Sequence, residues 1–459
     1  SASALAYRKL AGVAGTVLQT STAKAADKSG TAAAKAATDK YPHLLSPIKI
    51  RNVMLKNRIM LTPSPPHSLQ GPENFPADAF RAHYSQMAKN AGLVTIVEEF
   101  GQWPKSYDSS SMNFGPSHYS DSMWEDIPPV HNYLQQMVEE IHCEGSFICC
   151  GRIGGGKRGG GGQGGPGGGG TAPGGEAPGG AMPGGSASGM QGGTPGDGGA
   201  LQAQAFTSIE DIVTQAKMLE DKGYDMVEVG ERNWEGGVES VRTDLDAIEA
   251  VRKATNLIIV AVILPFTPGL SRGNPHYQVD ERSGDKAVGP KMEEVLQMVK
   301  MIDGLADIVR MKDAGHYTNH PNSFTMEKNK PWMLRFSQAI KESGVKIITC
   351  PTGGFHDPVL NDEWIASGKT DMVGMATPLF ADPEYVQKLY EGRGEDIVPC
   401  VMCHDCHGVS RTEGPWFDVC TVNPTWGLSE TKKRSIRPPT SVKKVAVIGG
   451  GPAGMKAAI

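Results

Sequence analysis

Short apolar runs alternate with amphipathic stretches along most of the chain. Seven runs have the length and composition of buried strands, at residues 93–97, 147–150, 226–229, 258–264, 306–311, 345–349 and 372–375. Helical spacing of apolar residues marks stretches between them, at 209–222, 292–302 and 332–343. Buried strands separated by helices are typical of βαβ units and of a parallel sheet. The pattern predicts an α/β fold, with seven or eight such units forming a (β/α)8 TIM barrel over residues 41–395.

One segment within the predicted barrel has a different composition. Residues 151–200 hold 26 glycines, many in Pro-Gly-Gly repeats. Such a segment cannot bury a core, so 151–203 is predicted to be a flexible insertion in a loop. Because it follows a strand, it leaves the barrel at the C-terminal face, where the active sites of TIM barrels lie. It is either a mobile cover over the site or a tolerated linker, since long insertions cost little entropy.

Residues 1–40 are rich in Ala, Lys, Ser and Thr and are predicted to be a disordered tail. The alternative is the remnant of an export signal, because Ala-Lys-Ala at 23–25 resembles a cleavage site. We expect a cytoplasmic protein, or one exported in its folded state if the tail is such a remnant.

Composition limits the class of function. The chain has 459 residues, and its net charge of -5 gives no basic surface for nucleic acid. It contains no apolar run of about 18 residues, so no membrane-spanning helix is expected. Hydrophobic residues make up 39% of the chain, enough for a large core.

Cysteines are concentrated near the end of the chain. Four of the eight form the pattern C-x2-C-x2-C-x13-C, namely Cys400, Cys403, Cys406 and Cys420. Three closely spaced thiolates and a distant fourth are typical of ligands to a 4Fe-4S cluster. Zinc, with His404 or His407 completing a Cys/His set, is the alternative. Clustered thiols also indicate a reducing compartment.

A glycine motif follows a further predicted strand at residues 445–448. Gly449, Gly451 and Gly454 have the G-x-G-x-x-G spacing that lets a backbone approach a pyrophosphate. The acidic residue expected about 20 positions later would lie beyond Ile459. We therefore expect residues 441–459 to be the first βα turn of a Rossmann-like domain whose remainder this sequence lacks.

A barrel, a four-cysteine segment and a dinucleotide motif, in that order, resemble the old yellow enzyme-like NADH:flavin oxidoreductases that carry an iron–sulfur cluster. These include 2,4-dienoyl-CoA reductase, trimethylamine dehydrogenase and the enoate reductases. The matching motifs are 44–50 with 55–59, His83-Tyr84 with 91–93, 371–373 with 381–383, Gly392-Arg393 with Ile397, and 420–424 with Gly427.

The resemblance implies cofactors and a reaction. In that family NAD(P)H reduces FAD, and electrons then cross the 4Fe-4S cluster to FMN in the barrel. The FMN reduces an activated C=C bond of a small molecule or, in the amine dehydrogenases, oxidises an amine. FAD and NAD(P)H would bind only in a longer protein.

The resemblance also implies flavin-binding positions, several of which have changed. A family Pro-Met pair is Pro63-Ser64 here, and Ser146 stands at the place of a glutamine that contacts the flavin ring, in a strand ending at Arg152. Gly353 and Gly354 keep the phosphate site, but the Gly-Arg pair that follows is Ala376-Thr377. That change removes a bidentate phosphate partner.

The substrate-activating positions have changed as well. Asn233 is retained as a donor to a substrate carbonyl oxygen, and Glu235 stands where a tyrosine proton donor is expected. His316 and Tyr317 follow another strand on the catalytic face and are alternative proton donors. The alternative is that Glu231, Glu235 and Glu239 form one solvated acidic loop and that the loop histidines are polar residues without a catalytic role.

Two accounts of the whole chain remain open. In the first, the barrel binds FMN and reduces an electron-poor C=C bond. In the second, it is a flavin-free scaffold or electron-relay subunit beside an active paralogue. The domain boundaries are the same in both, with the iron–sulfur segment at 396–440, and a homo-oligomer is compatible with either.

Overall fold

A computed structural model describes residues 40–63, 78–96, 128–153, 208–229, 237–265, 290–312, 331–403, 406, 420–426, 437 and 440–458. Ten strands lie in this part of the chain. They are β1 (Ile48–Ile50), β2 (Val53–Leu55), β3 (Ile59–Leu61), β4 (Leu93–Ile96), β5 (Phe147–Ile153), β6 (Met226–Val229), β7 (Ile258–Ile263), β8 (Ile308–Met311), β9 (Ile348–Pro351) and β10 (Val373–Met375).

The strands from β3 to β10 form one parallel sheet in the order β10-β3-β4-β5-β6-β7-β8-β9. A parallel bridge between Thr352 and Gly374 joins its two ends, so the sheet is a nearly closed eight-stranded barrel. The predicted TIM-barrel fold is therefore confirmed. β1 and β2 form a separate antiparallel hairpin.

Helices follow most of the strands. They are α1 (Asp78–Asn90), α2 (Pro128–Cys143), α3 (Ile209–Lys222), α4 (Val238–Ala254), α5 (Met292–Ile302), α6 (Leu334–Glu342), α7 (Pro358–Ala366), α8 (Thr377–Ala381), α9 (Tyr385–Tyr390) and α10 (Pro452–Ala458). Ser208 and Asp211 start α3 with a reciprocal capping box. Among the described helices, none combines the length and apolar composition needed to cross a membrane.

The barrel interior is apolar at its N-terminal end. Inward residues of the strands pack there with those of the β1–β2 hairpin, which covers this mouth of the barrel. The cluster comprises Ile48, Ile50, Leu55, Met60, Leu93, Cys149, Met226, Ile258, Val260, Ile308, Cys350 and Met372. A larger apolar cluster lies between the strands and the surrounding helices.

Closure of the barrel depends on a residue without a side chain. A Cβ atom at Gly374 would lie 2.5 Å from Cγ2 of Thr352 and 2.7 Å from Cγ2 of Thr62. Both distances are shorter than van der Waals contact, and threonine side chains are stiff at χ1. Glycine therefore lets β10 fit between β3 and β9.

Three carboxylates hold the strands together at the N-terminal face. Oδ2 of Asp225, Asp307 and Asp371 accepts a backbone N–H from Ile148, Ile259 and Thr349, at 3.0, 2.9 and 2.9 Å. Each carboxylate also pairs with a side chain of the helix before the neighbouring strand, namely His142, Arg252 or Lys341. The arrangement recurs every second βα unit and fixes the pairs β5–β6, β7–β8 and β9–β10.

The strand and helix predictions agree closely with the structure in the middle of the chain. β6, α3 and α5 have the predicted bounds, whereas β9 begins three residues later than its predicted run. Residues 48–55, which carry part of the family motif, form the hairpin, and the first barrel strand is β3. Residues 151–153 of the predicted insertion belong to β5 instead, because the strand continues past Cys150. The rest of the insertion and residues 1–39 lie outside the described residues.

We expect Gly374→Ala to lower the free energy of unfolding by about 1–3 kcal/mol, because the added methyl overpacks the seam between β3, β9 and β10. Urea unfolding followed by circular dichroism measures the change. Gly450→Ala is the matched control, since nothing lies within 4 Å of its Cβ position. Equal unfolding midpoints for the two variants would contradict this role of Gly374.

The pair of His142 and Asp225 predicts a pH dependence of stability. Burial alone would lower the pKa of His142, but the hydrogen bond and charge of Asp225 raise it above its usual value. A raised pKa in the folded state contributes stability at low pH that is lost as pH rises through that pKa. The difference in unfolding free energy between wild type and His142→Gln should therefore shrink from pH 5.5 to pH 8. A difference that grows over this range would refute the assignment.

Candidate functional site

The candidate site lies where β3, β9 and β10 end together at the C-terminal face of the barrel. Pro63 follows β3, Gly353 and Gly354 follow β9, and Ala376 and Thr377 follow β10. A hydrogen bond of 2.9 Å from Thr62 N to Met375 O aligns two of these ends. The structure thus brings five of the predicted cofactor-binding residues to one edge of the barrel.

Gly353 and Gly354 form a bend directly after β9. Their φ angles are +92° and +85°, a conformation that favours glycine at both positions. Within the part of the chain that the structure describes, their N–H groups donate to no other group. Consecutive free N–H groups at a strand end form a cradle for a phosphate. The residues present therefore fit the phosphate of FMN.

Thr377 begins α8 and is buried. Thr377 and Cys400 line the same pocket, and the Thr377 side chain lowers the pKa of the Cys400 thiol. The residue that replaces the family's phosphate-binding arginine therefore contacts the cysteine segment.

All four cysteines of the motif line a single pocket. Its wall comprises Thr377, Cys400, Val401, Cys403, Cys406, Cys420, Thr421 and Val422. Cys406 is buried, and the other three are partly exposed. No disulfide joins any of the eight cysteines. The chain therefore brings together the four thiols that the spacing predicts as ligands, next to the end of β10.

Two polar groups form hydrogen bonds with the sulfur atoms. The N–H of Met402 lies 3.3 Å from Sγ of Cys400, and Met402 has a φ angle of +56°. Oγ1 of Thr421 lies 2.9 Å from Sγ of Cys403. Burial raises the pKa of the Cys400 thiol, and the bonds from Thr377 and Met402 offset part of that increase. These donors are suited to sulfur that carries negative charge.

The second half of the cysteine segment is anchored to the barrel. Nδ2 of Asn423 donates to the carbonyl oxygen of Phe380 at 2.7 Å, in a buried position. The ring of Trp426 packs edge-on against Phe380 at 5.2 Å and against His83 at 5.9 Å. Cys420 is thereby held against α1 and α8.

The first half of the segment is anchored by a buried ion pair. Oδ2 of Asp382 lies 2.7 Å from Nζ of Lys388 and accepts the N–H of Val398 at 2.8 Å. Cys400 follows two residues later, so its position is set by α9 and the turn before it.

A site for a single metal ion is not found in this part of the chain. Among the described residues, no three His, Cys, Asp or Glu side chains are arranged to hold one metal ion. His404 and His407, the alternative zinc ligands, lie outside the described residues.

A polar layer lies above the apolar interior of the barrel. Side chains two positions apart on a strand lie on the same face. The next inward positions after those of the apolar interior are therefore Thr95, Glu228, Arg310 and Gly374, which follow Leu93, Met226, Ile308 and Met372.

Within this layer Arg310 and Glu228 form a buried bidentate pair. Nε of Arg310 lies 2.7 Å from Oε1 of Glu228, and Nη2 lies 2.8 Å from Oε2. Burial alone would lower the pKa of Arg310, but Glu228 raises it above its usual value. A fixed charge pair therefore lies on the catalytic side of the apolar interior.

Ser146 does not lie at the catalytic face, contrary to its predicted contact with the flavin ring. It precedes β5 at the N-terminal end, and its hydroxyl donates to the carbonyl oxygens of Ala88 and Ala91. The alignment with the family's glutamine is wrong by the length of the strand. Arg152 lies near the other end of β5, but its side chain is outside what the structure describes.

The predicted catalytic residues are not among those described. Asn233, Glu235, His316 and Tyr317 lie outside the described residues, as does Ser64. Their proximity to one another stays a prediction.

The glycine motif forms a tight turn, but the predicted strand before it is absent. Residues 445–448 pair with no other described strand, and Ile448 is 98% exposed. A strand needs a partner for its backbone hydrogen bonds, and the described residues offer none there. A Cβ atom at Gly454 would lie 1.9 Å from the carbonyl oxygen of Gly449, so glycine is required for this turn.

Sequence reasoning missed the residues that support the site. Thr421 could have been suspected, because it neighbours the fourth cysteine and carries a hydroxyl. Glu228 and Arg310 gave a weaker signal, as single charges within apolar strands. Buried charges are almost always paired, so each of these two residues indicated that an oppositely charged partner exists but not which residue it is.

The chain is similar in sequence to named reductases and to an amine dehydrogenase. No family model matches the chain. The cinnamate reductase of Clostridium sporogenes is 32% identical over 188 residues, which cover 40% of this chain and 27% of that enzyme. The dimethylamine dehydrogenase of a Hyphomicrobium species is 26% identical over 277 residues, covering 54% and 35%. The chain thus spans about a third or less of these relatives.

A solved structure supports the fold. That of 2-naphthoyl-CoA reductase with 2-naphthoyl-CoA has a TM-score of 0.61 and 18% sequence identity, and it covers 91% of this chain and 62% of that one. It confirms the barrel fold, and the sequence relatives agree with the family resemblance that the motifs predicted.

The buried charge pair predicts an asymmetric response to substitution. We expect Glu228→Leu to lower the free energy of unfolding by about 3–5 kcal/mol, because it leaves the Arg310 charge buried without a partner. Adding Arg310→Met should recover most of that loss, since an apolar pair of similar volume replaces the ion pair. Denaturant unfolding of both variants measures the two effects. A double variant less stable than Glu228→Leu would contradict the pairing.

Proposed function

We propose that this chain, which is related to the old yellow enzyme-like NADH:flavin oxidoreductases, is the barrel and cluster part of an oxidoreductase that reduces an activated C=C bond. The observation that carries the proposal is the convergence of four cysteines on one pocket, beside a phosphate cradle at the same barrel edge. The substrate would be a small molecule with an electron-poor double bond.

Cys400, Cys403, Cys406 and Cys420 would hold a 4Fe-4S cluster. Asn423 and Asp382 fix the two halves of their segment to the barrel, which orders the ligands before metal binds. Preordered ligands need less reorganisation to bind a metal. Thr421, Thr377 and the Met402 N–H would stabilise the thiolates.

Gly353 and Gly354 would hold the phosphate of FMN. The free N–H groups of this turn supply contacts that do not depend on side chains, so the loss of arginine at 377 need not abolish binding. FMN, when bound, supplies hydride chemistry, and a 4Fe-4S cluster supplies single electrons. Asn233 would orient a substrate carbonyl, and Glu235, His316 or Tyr317 would hold the proton delivered to the second carbon.

The reductase relative supports the choice of reaction. Cinnamate contains a double bond conjugated with a carboxylate, which is the kind of electron-poor C=C bond proposed here. Electrons would come from NAD(P)H through FAD in a longer protein, for which the turn at Gly449, Gly451 and Gly454 would begin the binding domain.

A second candidate function is amine oxidation. It is favoured by the dimethylamine dehydrogenase relative, whose alignment covers 54% of this chain. A flavin-free relay subunit paired with a paralogue is a third arrangement. It is favoured by Thr377, which contacts Cys400 and stands where the family has an arginine that binds the phosphate.

The cysteine assignment predicts a selective loss of iron. We expect Cys406→Ala and Cys403→Ala to lose most of the bound iron and the visible absorbance of the protein purified without oxygen, because each removes one of four ligands. Cys143→Ala is the matched control, since Cys143 is exposed at the end of α2. Unchanged iron content in Cys406→Ala would sink the cluster assignment.

The reaction is tested by giving the reduced protein each class of substrate. Protein reduced with dithionite, then freed of excess reductant, should be reoxidised by cinnamate-type acids or enones, with formation of the saturated product. Oxidised protein should not be reduced by secondary or tertiary amines. Reduction by amines without reoxidation by any enoate or enone would favour the dehydrogenase instead.

A further inference from the structure

We propose that the hydroxyl groups of Thr377 and Thr421 raise the reduction potential of the cluster by hydrogen bonding to two of its cysteine sulfurs. This inference rests on the proposed function, because it requires that the four cysteines hold an iron–sulfur cluster. It assigns Thr377 to the cluster, and not to the flavin phosphate. Both threonines are positioning residues that act through Cys400 and Cys403.

The contact of Thr421 is direct. Its Oγ1 lies 2.9 Å from Sγ of Cys403, well within the usual distance of a hydrogen bond to sulfur. When the sulfur is a metal-bound thiolate it has no proton to donate, so the hydroxyl must be the donor. Both residues line the cysteine pocket.

The contact of Thr377 comes from another part of the chain. Thr377 stands at the start of α8, three residues after the seam at Gly374, and lines the cysteine pocket together with Cys400. Thr377 is buried, so little water competes for a bond from its hydroxyl to the Cys400 sulfur. Cys400 accepts the N–H of Met402 at 3.3 Å. Cys400 thus has one donor within its own segment and a second hydroxyl-bearing neighbour from α8.

The direction of the effect follows from charge. An added electron makes the cysteine sulfurs of a cluster more negative, and a hydrogen-bond donor stabilises that state more than the oxidised one. Each donor therefore raises the potential, and its removal lowers it. Partners beyond the direct ligands commonly tune metal sites in this way.

The test is the midpoint potential of the cluster in Thr377→Val, Thr421→Val and the double variant. Anaerobic redox titration followed by electron paramagnetic resonance gives the potential at known iron content. We expect a more negative potential in each single variant and a larger shift in the double variant. Thr377→Ser and Thr421→Ser should restore the wild-type value, because serine keeps the hydroxyl.

Thr425→Val is the matched control. Its hydroxyl donates to Oδ1 of Asn423 at 2.9 Å and lies in the same segment, so it should change stability without changing the potential.

The outcomes separate the two proposals. Full iron content with an unchanged potential in both valine variants would overturn the inference and leave the proposed function intact. An equal shift in Thr425→Val would also overturn it. A wild-type protein without iron would overturn the proposed function and this inference together. If Thr377→Val alone loses iron, its potential cannot be compared with that of the wild type. The potentials of the two serine variants and of Thr421→Val then decide whether the hydroxyl groups raise the potential.

Discussion

Closure of the barrel between β9 and β10 is the constraint on which the candidate site depends. Closure requires glycine at 374, because Thr62 and Thr352 occupy the space that a side chain would take. Gly353 and Gly354 follow β9, on one side of this seam, and Thr377 follows β10, on the other side. Since Thr377 contacts Cys400, the phosphate cradle and the cysteine pocket flank a single pair of strands. Electron transfer between two bound groups would benefit from that closeness.

The two ends of the barrel have separate roles. At the N-terminal face, carboxylates, strand N–H groups and helix cations satisfy one another, so this end contributes register and stability. At the C-terminal edge, the N–H groups of Gly353 and Gly354 have no described partner and the thiols of the pocket share no disulfide. Polar groups left available on a rigid frame are those that can bind a ligand. The buried pair of Glu228 and Arg310 lies between the two regions.

The sequence predicted what depends on local pattern. β6, α3 and α5 were placed to the residue, because the pattern of apolar positions defines them, and the cysteine spacing predicted which thiols meet. Ser146 was assigned to the C-terminal end of β5 but lies at its N-terminal end. The alternation of side chains along a strand predicts the face on which a residue lies, but not its distance from either end of the barrel. The strand at 445–448 was predicted from composition alone, whereas a strand forms only with a partner. Contacts such as that between Thr377 and Cys400 in the pocket wall join residues 23 positions apart, which no local pattern encodes.

Cofactor content of the wild-type protein tests the central claim, that one barrel edge holds both a flavin and a cluster. The protein would be purified without oxygen, its flavin released by heat and identified, and its iron and sulfide counted. The account predicts FMN together with about four iron atoms per chain. Iron and sulfide without any flavin would contradict it, because the cradle at Gly353 and Gly354 would then serve no cofactor.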